Sequence, residues 1–145
     1  MKKIDRFNGD YAFLSNFFNI PVRVWGVTYP TSEHAYQAAK TATQVDHDAI
    51  LSCATPGNAK RLGRRVQIRP RWDEMRVSVM REVQQAKFSN PYMASALLKT
   101  GDVELIEGNT WNDTWWGMCN GIGENHLGKI LMQVREEVRA RVEAS

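Results

Sequence analysis

The chain of 145 residues is 43% hydrophobic and 24% charged, which suits a single domain, residues 1–145, that buries roughly two thirds of its unfolded surface. No apolar run approaches the roughly 20 residues of a membrane span, and none follows the positive charges at the start, so we expect neither a span nor a secretion signal. The net charge of +3 permits an anionic ligand without demanding nucleic acid.

The two cysteines, Cys53 and Cys119, lie far apart and form no CxxC motif. Neither has a metal-ligand spacing to any of the three histidines. The sequence therefore predicts no disulfide framework and no metal site, and a reducing cytoplasm is the expected location.

The first predicted elements are a hairpin and two helices. Residues 22–29 are rich in strand formers, with a glycine near the middle, and predict a small hairpin. Thr31 can cap a helix that runs to about Thr43. Thr55 is followed by proline and predicts a short basic helix that Gly63 ends.

Further helices and one strand are predicted downstream. Apolar residues at spacings of three and four predict an amphipathic helix from about Asp73 to Phe88. Asn90 precedes a proline and can start another helix, after which residues 103–106 are a plausible strand. The glycines within residues 107–124 predict an ordered but irregular loop.

The last predicted element is a long C-terminal helix. Its apolar stripe begins at Leu127, and its outer face is rich in arginine and glutamate. Taken together, the elements predict a mainly helical α+β fold with a small β-sheet or hairpin.

Polar side chains recur along one face of the helix that begins at Thr31. Glu33, Gln37 and Lys40 lie at spacings of four and three, and Tyr36 is also on this side. Glu33 and Lys40 would be on the order of 10 Å apart along the axis, which leaves room for a nucleotide-sized ligand. A solvated polar stripe is the alternative interpretation.

A second candidate group is the loop Trp111–Gly117, which contains three tryptophans and Asp113. Flat indole faces stack on bases, and Asp113 could orient a sugar hydroxyl or a water beside them. Alternatively, individual tryptophans fill the base of the core.

Three weaker signals complete the candidates. Backbone amides near 125–128, at the start of the last helix, could receive a phosphate or diphosphate, although Asn125 could be only an N-cap and His126 is expected to face solvent. Asn16 could read a base edge, while Phe17 is expected to pack in the core. The basic run from Lys60 to Arg71 could attract phosphates or could be a solvated face.

Several motifs occur in order along nearly the whole chain: Leu14-Ser15-Asn16-Phe17, Tyr29-Pro30-Thr31-Ser32-Glu33-His34, Gln37-Ala38, Lys40, Ala59-Lys60-Arg61-Leu62-Gly63, Trp72, Ala86-Lys87-Phe88, Asp113, Trp116-Gly117 and Asn125-His126-Leu127-Gly128-Lys129-Ile130-Leu131-Met132. In this combination they resemble the YbiA-like, or NADAR, superfamily of N-glycosidases. Cys119 departs from the pattern, because better-known members have a glycine there.

The resemblance implies a YbiA-like fold, mainly helical α+β, that hydrolyses the N-glycosidic bond between a ribose and a nitrogen base without a metal or other cofactor. The substrates it implies are ADP-ribose attached to guanine in nucleic acid, or the phosphoribosylamino-pyrimidine intermediates of riboflavin synthesis. The catalytic candidates are Glu33, Lys40 and Asp113. The substrate-binding candidates are Asn16, Phe17, Trp72, Trp111, Trp116, Gly117 and Asn125.

The chemistry of the bond suggests roles for these residues. Cleavage develops positive charge on the anomeric carbon and ring oxygen, which the carboxylate of Glu33 could stabilise. If the ribose opens, a neutral Lys40 amine could attack the aldehyde carbon and form a Schiff base that water hydrolyses. We expect ADP-ribosyl-guanine as the substrate, with the pyrimidine intermediate as the alternative. A non-catalytic nucleotide or single-stranded nucleic-acid binding module is a third interpretation.

Overall fold

The computed structural model of the protein describes residues 2–145. Its elements in chain order are β1 (Lys3–Ile4), a 3₁₀ helix (Gly9–Leu14), β2 (Val22–Val24), β3 (Val27–Tyr29), α1 (Ser32–Ala39), α2 (Gln44–Leu51), α3 (Pro56–Gly63), α4 (Trp72–Lys87), α5 (Pro91–Leu98), β4 (Glu104–Leu105), β5 (Gly108–Asn109), β6 (Met118–Cys119) and α6 (His126–Ala144). The predicted mainly helical α+β fold is confirmed, and the described strands form three separate two-stranded sheets.

The chain forms two compact units, one of residues Asn16–Lys87 and the other of residues up to Ser15 together with Phe88–Ser145. In the first unit, α1 packs against α2, α3 and α4. The strands β2 and β3 form the predicted antiparallel hairpin, with Val22 opposite Tyr29. The buried core of this unit consists of Tyr29, Ala35, Ala38, Ile50, Ala59 and Val83.

The helix predicted from Thr31 to about Thr43 is shorter than expected. Thr31 does cap it, but α1 ends at Ala39. Thr41 then forms an antiparallel bridge with Ile68, and Thr43 caps α2, a helix that the sequence analysis did not predict. The prediction was wrong beyond residue 39 because extended pairing with a distant segment replaces the last turn.

The other predicted helices are confirmed. Thr55 caps α3 by accepting a hydrogen bond from Asn58 N, with proline at the start of the helix. Asn90 caps α5 in the same way, its side chain accepting from the amides of Tyr92 and Met93. The long helices α4 and α6 begin within two residues of their predicted positions.

In the second unit, β1 pairs in parallel with β4, and α6 packs against both α5 and β4. The loop predicted over residues 107–124 holds one further parallel pair, β5 with β6. Arg135 of α6 is buried and donates to Thr100 Oγ1 at 2.9 Å. This bond ties α6 to the end of α5.

Three further observations concern the described residues. No helix within residues 2–145 has the length and apolar character needed to cross a bilayer. Cys53 is half-buried and Cys119 is buried, and both are free thiols. Over the same residues, no three histidine, cysteine, aspartate or glutamate side chains are grouped in a way that could hold a metal ion.

Candidate active site

Glu33 lies in a buried helix rather than on a solvated stripe. Every residue of α1 from Ser32 to Ala38 is buried, and the side chain of Glu33 is only 8% exposed. Gln37, one turn later, donates from Nε2 to Glu33 Oε2 at 2.7 Å. A buried carboxylate needs such a partner, and the bond fixes the direction in which the carboxylate points.

Asn16 is next to Glu33 and is held from both ends. Its backbone oxygen accepts from Glu33 N at 3.0 Å. Its side-chain Oδ1 accepts from Gln84 Nε2 at 2.6 Å, and its Nδ2 donates to Met80 Sδ at 3.4 Å. The buried amide of Asn16 therefore anchors its segment to α4.

Gly63, at the end of α3, makes the arrangement of Gln37 possible. A Cβ at position 63 would overlap Gln37 Oε1. From the sequence, Gly63 was predicted only to end a helix and Gln37 only to share the polar face of Glu33, although both lie in the motifs of the family resemblance. Their contribution depends on the close approach of α3 to α1, for which the sequence carries no direct signal.

Lys40 is the C-cap of α1 and is half-buried. Burial, the largest cause, lowers the pKa of Lys40; Glu33 raises it and Arg64 lowers it. A lowered pKa increases the fraction of neutral amine near neutral pH, and only the neutral amine is a nucleophile.

Two aromatic candidates, Phe17 and Trp72, lie in the unit of residues Asn16–Lys87. Phe17 is 42% exposed, so the expectation that it packs in the core is wrong. Lys60 Nζ lies 5.8 Å from the centroid of its ring. Trp72 is buried instead, with its ring 5.3 Å from that of Tyr36 on α1.

The second unit contains the loop with Asp113. Its Oδ1 accepts from the amides of Trp115 at 3.1 Å and Trp116 at 2.9 Å. Asn109 holds the backbone of Asp113 through two further hydrogen bonds. One carboxylate oxygen of Asp113 thus shapes the loop, while Trp111 is largely exposed.

The start of α6 is not an anion site. The amides of residues 125, 126 and 127 already donate to the carbonyls of Gly117, Trp115 and Trp116. The expected phosphate or diphosphate site near 125–128 is therefore wrong, because loop carbonyls occupy three of its four backbone donors.

Asn125 and Gly117 have structural roles in this loop. Asn125 adopts a left-handed conformation and makes no side-chain cap; it donates to Leu105 O and accepts from Glu107 N. A Cβ on Gly117 would overlap Glu107. His126, expected to face solvent, packs against Trp115 with ring centroids 4.1 Å apart and the ring planes tilted by 45°.

The structure therefore brings together two groups, one within each unit. In the unit of residues Asn16–Lys87, Asn16 contacts Glu33 directly, and Lys40 is electrostatically linked to Glu33. In the other unit, Asp113, Trp116, Gly117 and Asn125 are joined through the backbone of one loop.

The sequence and the structure of the chain are both similar to those of known proteins. The NADAR domain family model matches residues 5–139. The N-glycosidase YbiA of Escherichia coli is 38% identical over 133 residues, which cover 89% of this chain and 82% of that protein. A riboflavin biosynthesis protein of Vibrio vulnificus is 40% identical over 134 residues, 90% of this chain but 36% of that protein. The NMR structure of E. coli YbiA matches with a TM-score of 0.88 at 33% identity, covering 99% of this chain and 87% of that one.

Proposed function

The chain belongs to the NADAR family of N-glycosidases, and from this premise we propose that it removes ADP-ribose from guanine bases of nucleic acid. The observation that carries the assignment of the catalytic group is the buried carboxylate of Glu33, held by Gln37 on the helix that ends next to Lys40. A fixed carboxylate and an amine of lowered pKa on one helix suit cleavage of a ribosyl C–N bond.

The proposed reaction consumes one water. For a ribose attached through an exocyclic amine, Glu33 assists proton transfer to the ring oxygen, and the sugar opens to an imine at C1. The Lys40 amine adds to C1, the C1–N bond to the base breaks, and the base leaves with its amino group. Water then adds to the lysine imine, which releases free Lys40 and ADP-ribose.

Basic residues beside Lys40 favour a polyanionic substrate. Arg64 is close enough to affect the pKa of Lys40, and Lys60 lies over the exposed ring of Phe17. Arg61 and Arg65 on the same segment are exposed. These cations suit the phosphates of ADP-ribose and of a nucleic-acid strand.

The roles proposed for the remaining candidate residues are those that the family resemblance implies. Phe17, Trp72, Trp111 and Trp116 would contact the base or exclude water from the bond. Asp113 would act on the ribose or the attacking water through Oδ2, since Oδ1 is used within the loop. Both cysteines are free thiols, which suits the reducing cytoplasm as the place of action.

A second candidate substrate is a phosphoribosylamino-pyrimidine intermediate of riboflavin synthesis. It presents the same kind of ribosyl C–N bond, and one relative is named a riboflavin biosynthesis protein. The same Glu33 and Lys40 chemistry would apply, with one phosphate in place of the diphosphate.

The decisive experiment incubates the purified protein separately with an ADP-ribosylated guanine oligonucleotide and with the phosphoribosylamino-pyrimidine, and measures release by mass spectrometry. Release from the oligonucleotide alone supports the first substrate, and release from the pyrimidine alone supports the second. Saturable, salt-sensitive binding without release from either would instead indicate a binding module.

A further inference from the structure

A cavity of about 750 Å³ lies in the unit of residues Asn16–Lys87. It is bounded by the tip of the β2–β3 hairpin, the end of α1, the start of α2, residues 69–70 and one face of α4. Its volume is typical of small-molecule sites. Among the described residues that line it, none belongs to the candidate active site.

Trp25, at the hairpin tip, is the unusual member of this lining. Val24 pairs with Val27, so Trp25 and Gly26 form a two-residue turn, and both have positive φ, 54° and 78°. Such turns favour Asn-Gly or Asp-Gly, and a bulky aromatic residue is disfavoured there. Trp25 remains 44% exposed, so core packing does not compensate for the strained backbone. A strained residue beside a cavity points to a functional use.

Two charged side chains stand at the cavity. Trp25 Nε1 lies 3.5 Å from Glu82 Oε1, at the outer limit of a hydrogen bond, so a ligand N–H can replace it readily. Arg69 donates from one Nη to Ala39 O at 3.3 Å, which leaves further guanidinium donors for a ligand. The buried side chains of Tyr29, Ala38 and Val79 supply apolar surface.

We propose that this cavity binds a guanine nucleotide. The base would stack on Trp25, its adjacent N1–H and N2–H₂ groups would donate to the Glu82 carboxylate, and its phosphate would contact Arg69. Guanine is the base whose two neighbouring donors match the two oxygens of a carboxylate. The ligand could be a free nucleotide or a guanine within a single strand. Binding here is independent of base release and goes beyond the proposed glycosidase activity.

The test measures binding of GMP and IMP to the full chain by calorimetry. IMP lacks only the exocyclic amine, so we expect GMP to bind about tenfold more tightly. Glu82→Ala should remove this preference. Trp25→Asn should weaken GMP binding by about tenfold or more, while keeping the fold, because asparagine suits the turn. Tyr92→Ala, at an aromatic residue of the other unit that is 82% exposed, should change nothing.

The glycosidase site could itself bind a nucleotide. Binding of GMP is therefore assigned to the cavity beside Trp25 only if the GMP affinity differs between the wild type and Trp25→Asn. A second arm replaces GMP with a guanine-containing single-stranded oligonucleotide. Tight binding of the oligonucleotide that depends on Trp25 identifies a strand as the source, and binding of GMP alone identifies the free nucleotide. No GMP or oligonucleotide binding at millimolar concentration, equal affinity for GMP and IMP, or GMP affinity unchanged by Trp25→Asn would overturn the proposal.

Discussion

Gln37 donates a hydrogen bond to the carboxylate of Glu33 across one turn of α1, at 2.7 Å, and both side chains are buried. Position 63 must be glycine for this arrangement, since a Cβ there would overlap the Gln37 amide. Three residues from two helices therefore determine where one carboxylate points. The contact joins two residues only four apart in the sequence, but it depends on the packing of α3 against α1.

Gly63→Ala should disturb this arrangement. The new methyl group displaces the Gln37 amide, so we expect a loss of stability of about 1–3 kcal/mol and a fall in base release. The matched control is Gly57→Ala in the same helix, where the nearest atoms to an added Cβ are 3.9 Å away. Thermal unfolding and chromatographic assay of base release provide the two readouts.

A double variant separates packing from orientation. Gly63→Ala combined with Gln37→Ala removes the overlap, so its stability should recover relative to Gly63→Ala alone. Base release should stay low, because Glu33 still lacks its donor. Full recovery of activity in the double variant would show that Gln37 does not position Glu33.

Glu33→Gln should keep the fold and lose most base release. The substitution preserves shape but removes the negative charge that stabilises the developing cation at C1 and the group that handles the proton, and we expect a decrease of about 10²–10⁴-fold in kcat. Chromatography of released base measures this. Near-normal turnover would remove Glu33 from the mechanism.

Much of the fold was predictable because its boundaries are set by local chemistry. Thr55 and Asn90 cap the helices that the sequence predicted from them. The end of α1 was not predictable, since the bridge from Thr41 to Ile68 is a long-range pairing. The strand pair β5–β6 was missed because two-residue strands carry no periodicity.

The candidate site, like the fold, was only partly predictable from the sequence. Helical spacing was enough to put Glu33 and Gln37 on one face, but their burial comes from helices α2, α3 and α4 packing around α1. The anion site expected near Asn125 was wrong because sequence cannot show that loop carbonyls occupy the backbone donors. Contacts between residues distant in sequence account both for the burial of Glu33 and Gln37 and for the occupied backbone donors near Asn125.

Arg64→Gln should shift the pH dependence of base release. Arg64 helps to lower the pKa of Lys40, so its removal raises that pKa. The rate increases as Lys40 loses its proton, and this limb of the pH profile should therefore move to higher pH. The effect should diminish at high salt.

Arg65→Gln is the matched control, since Arg65 is an exposed neighbour that is not among the causes of the lowered pKa of Lys40.

Borohydride reduction during turnover should trap a substrate adduct on Lys40, identified by peptide mass spectrometry. If no adduct forms while base is released, the lysine route is wrong and Glu33 must act without it.

Lys87 makes the stability of the fold depend on pH. It is buried, with Nζ 5.9 Å from the Phe18 ring centroid, and burial lowers its pKa from 10.5 to about 7. Between these values the unfolded chain holds a proton that the folded chain does not, so the contribution of Lys87 to stability rises with pH across this window. Below pH 7 the folded chain must bury the charged form, at a cost of about 5 kcal/mol.

Lys87→Met should therefore stabilise the protein most at pH 6, and the gain should shrink as the pH rises from about 7 towards 10. Denaturant unfolding of both proteins at a series of pH values measures the difference. Lys99→Met, at an exposed lysine at the end of α5, should give a difference that does not vary over this range. A gain from Lys87→Met that is equally large at pH 6 and pH 10 would mean that Lys87 is not buried as a neutral amine, because only a proton bound differently by the folded and unfolded chains makes stability depend on pH.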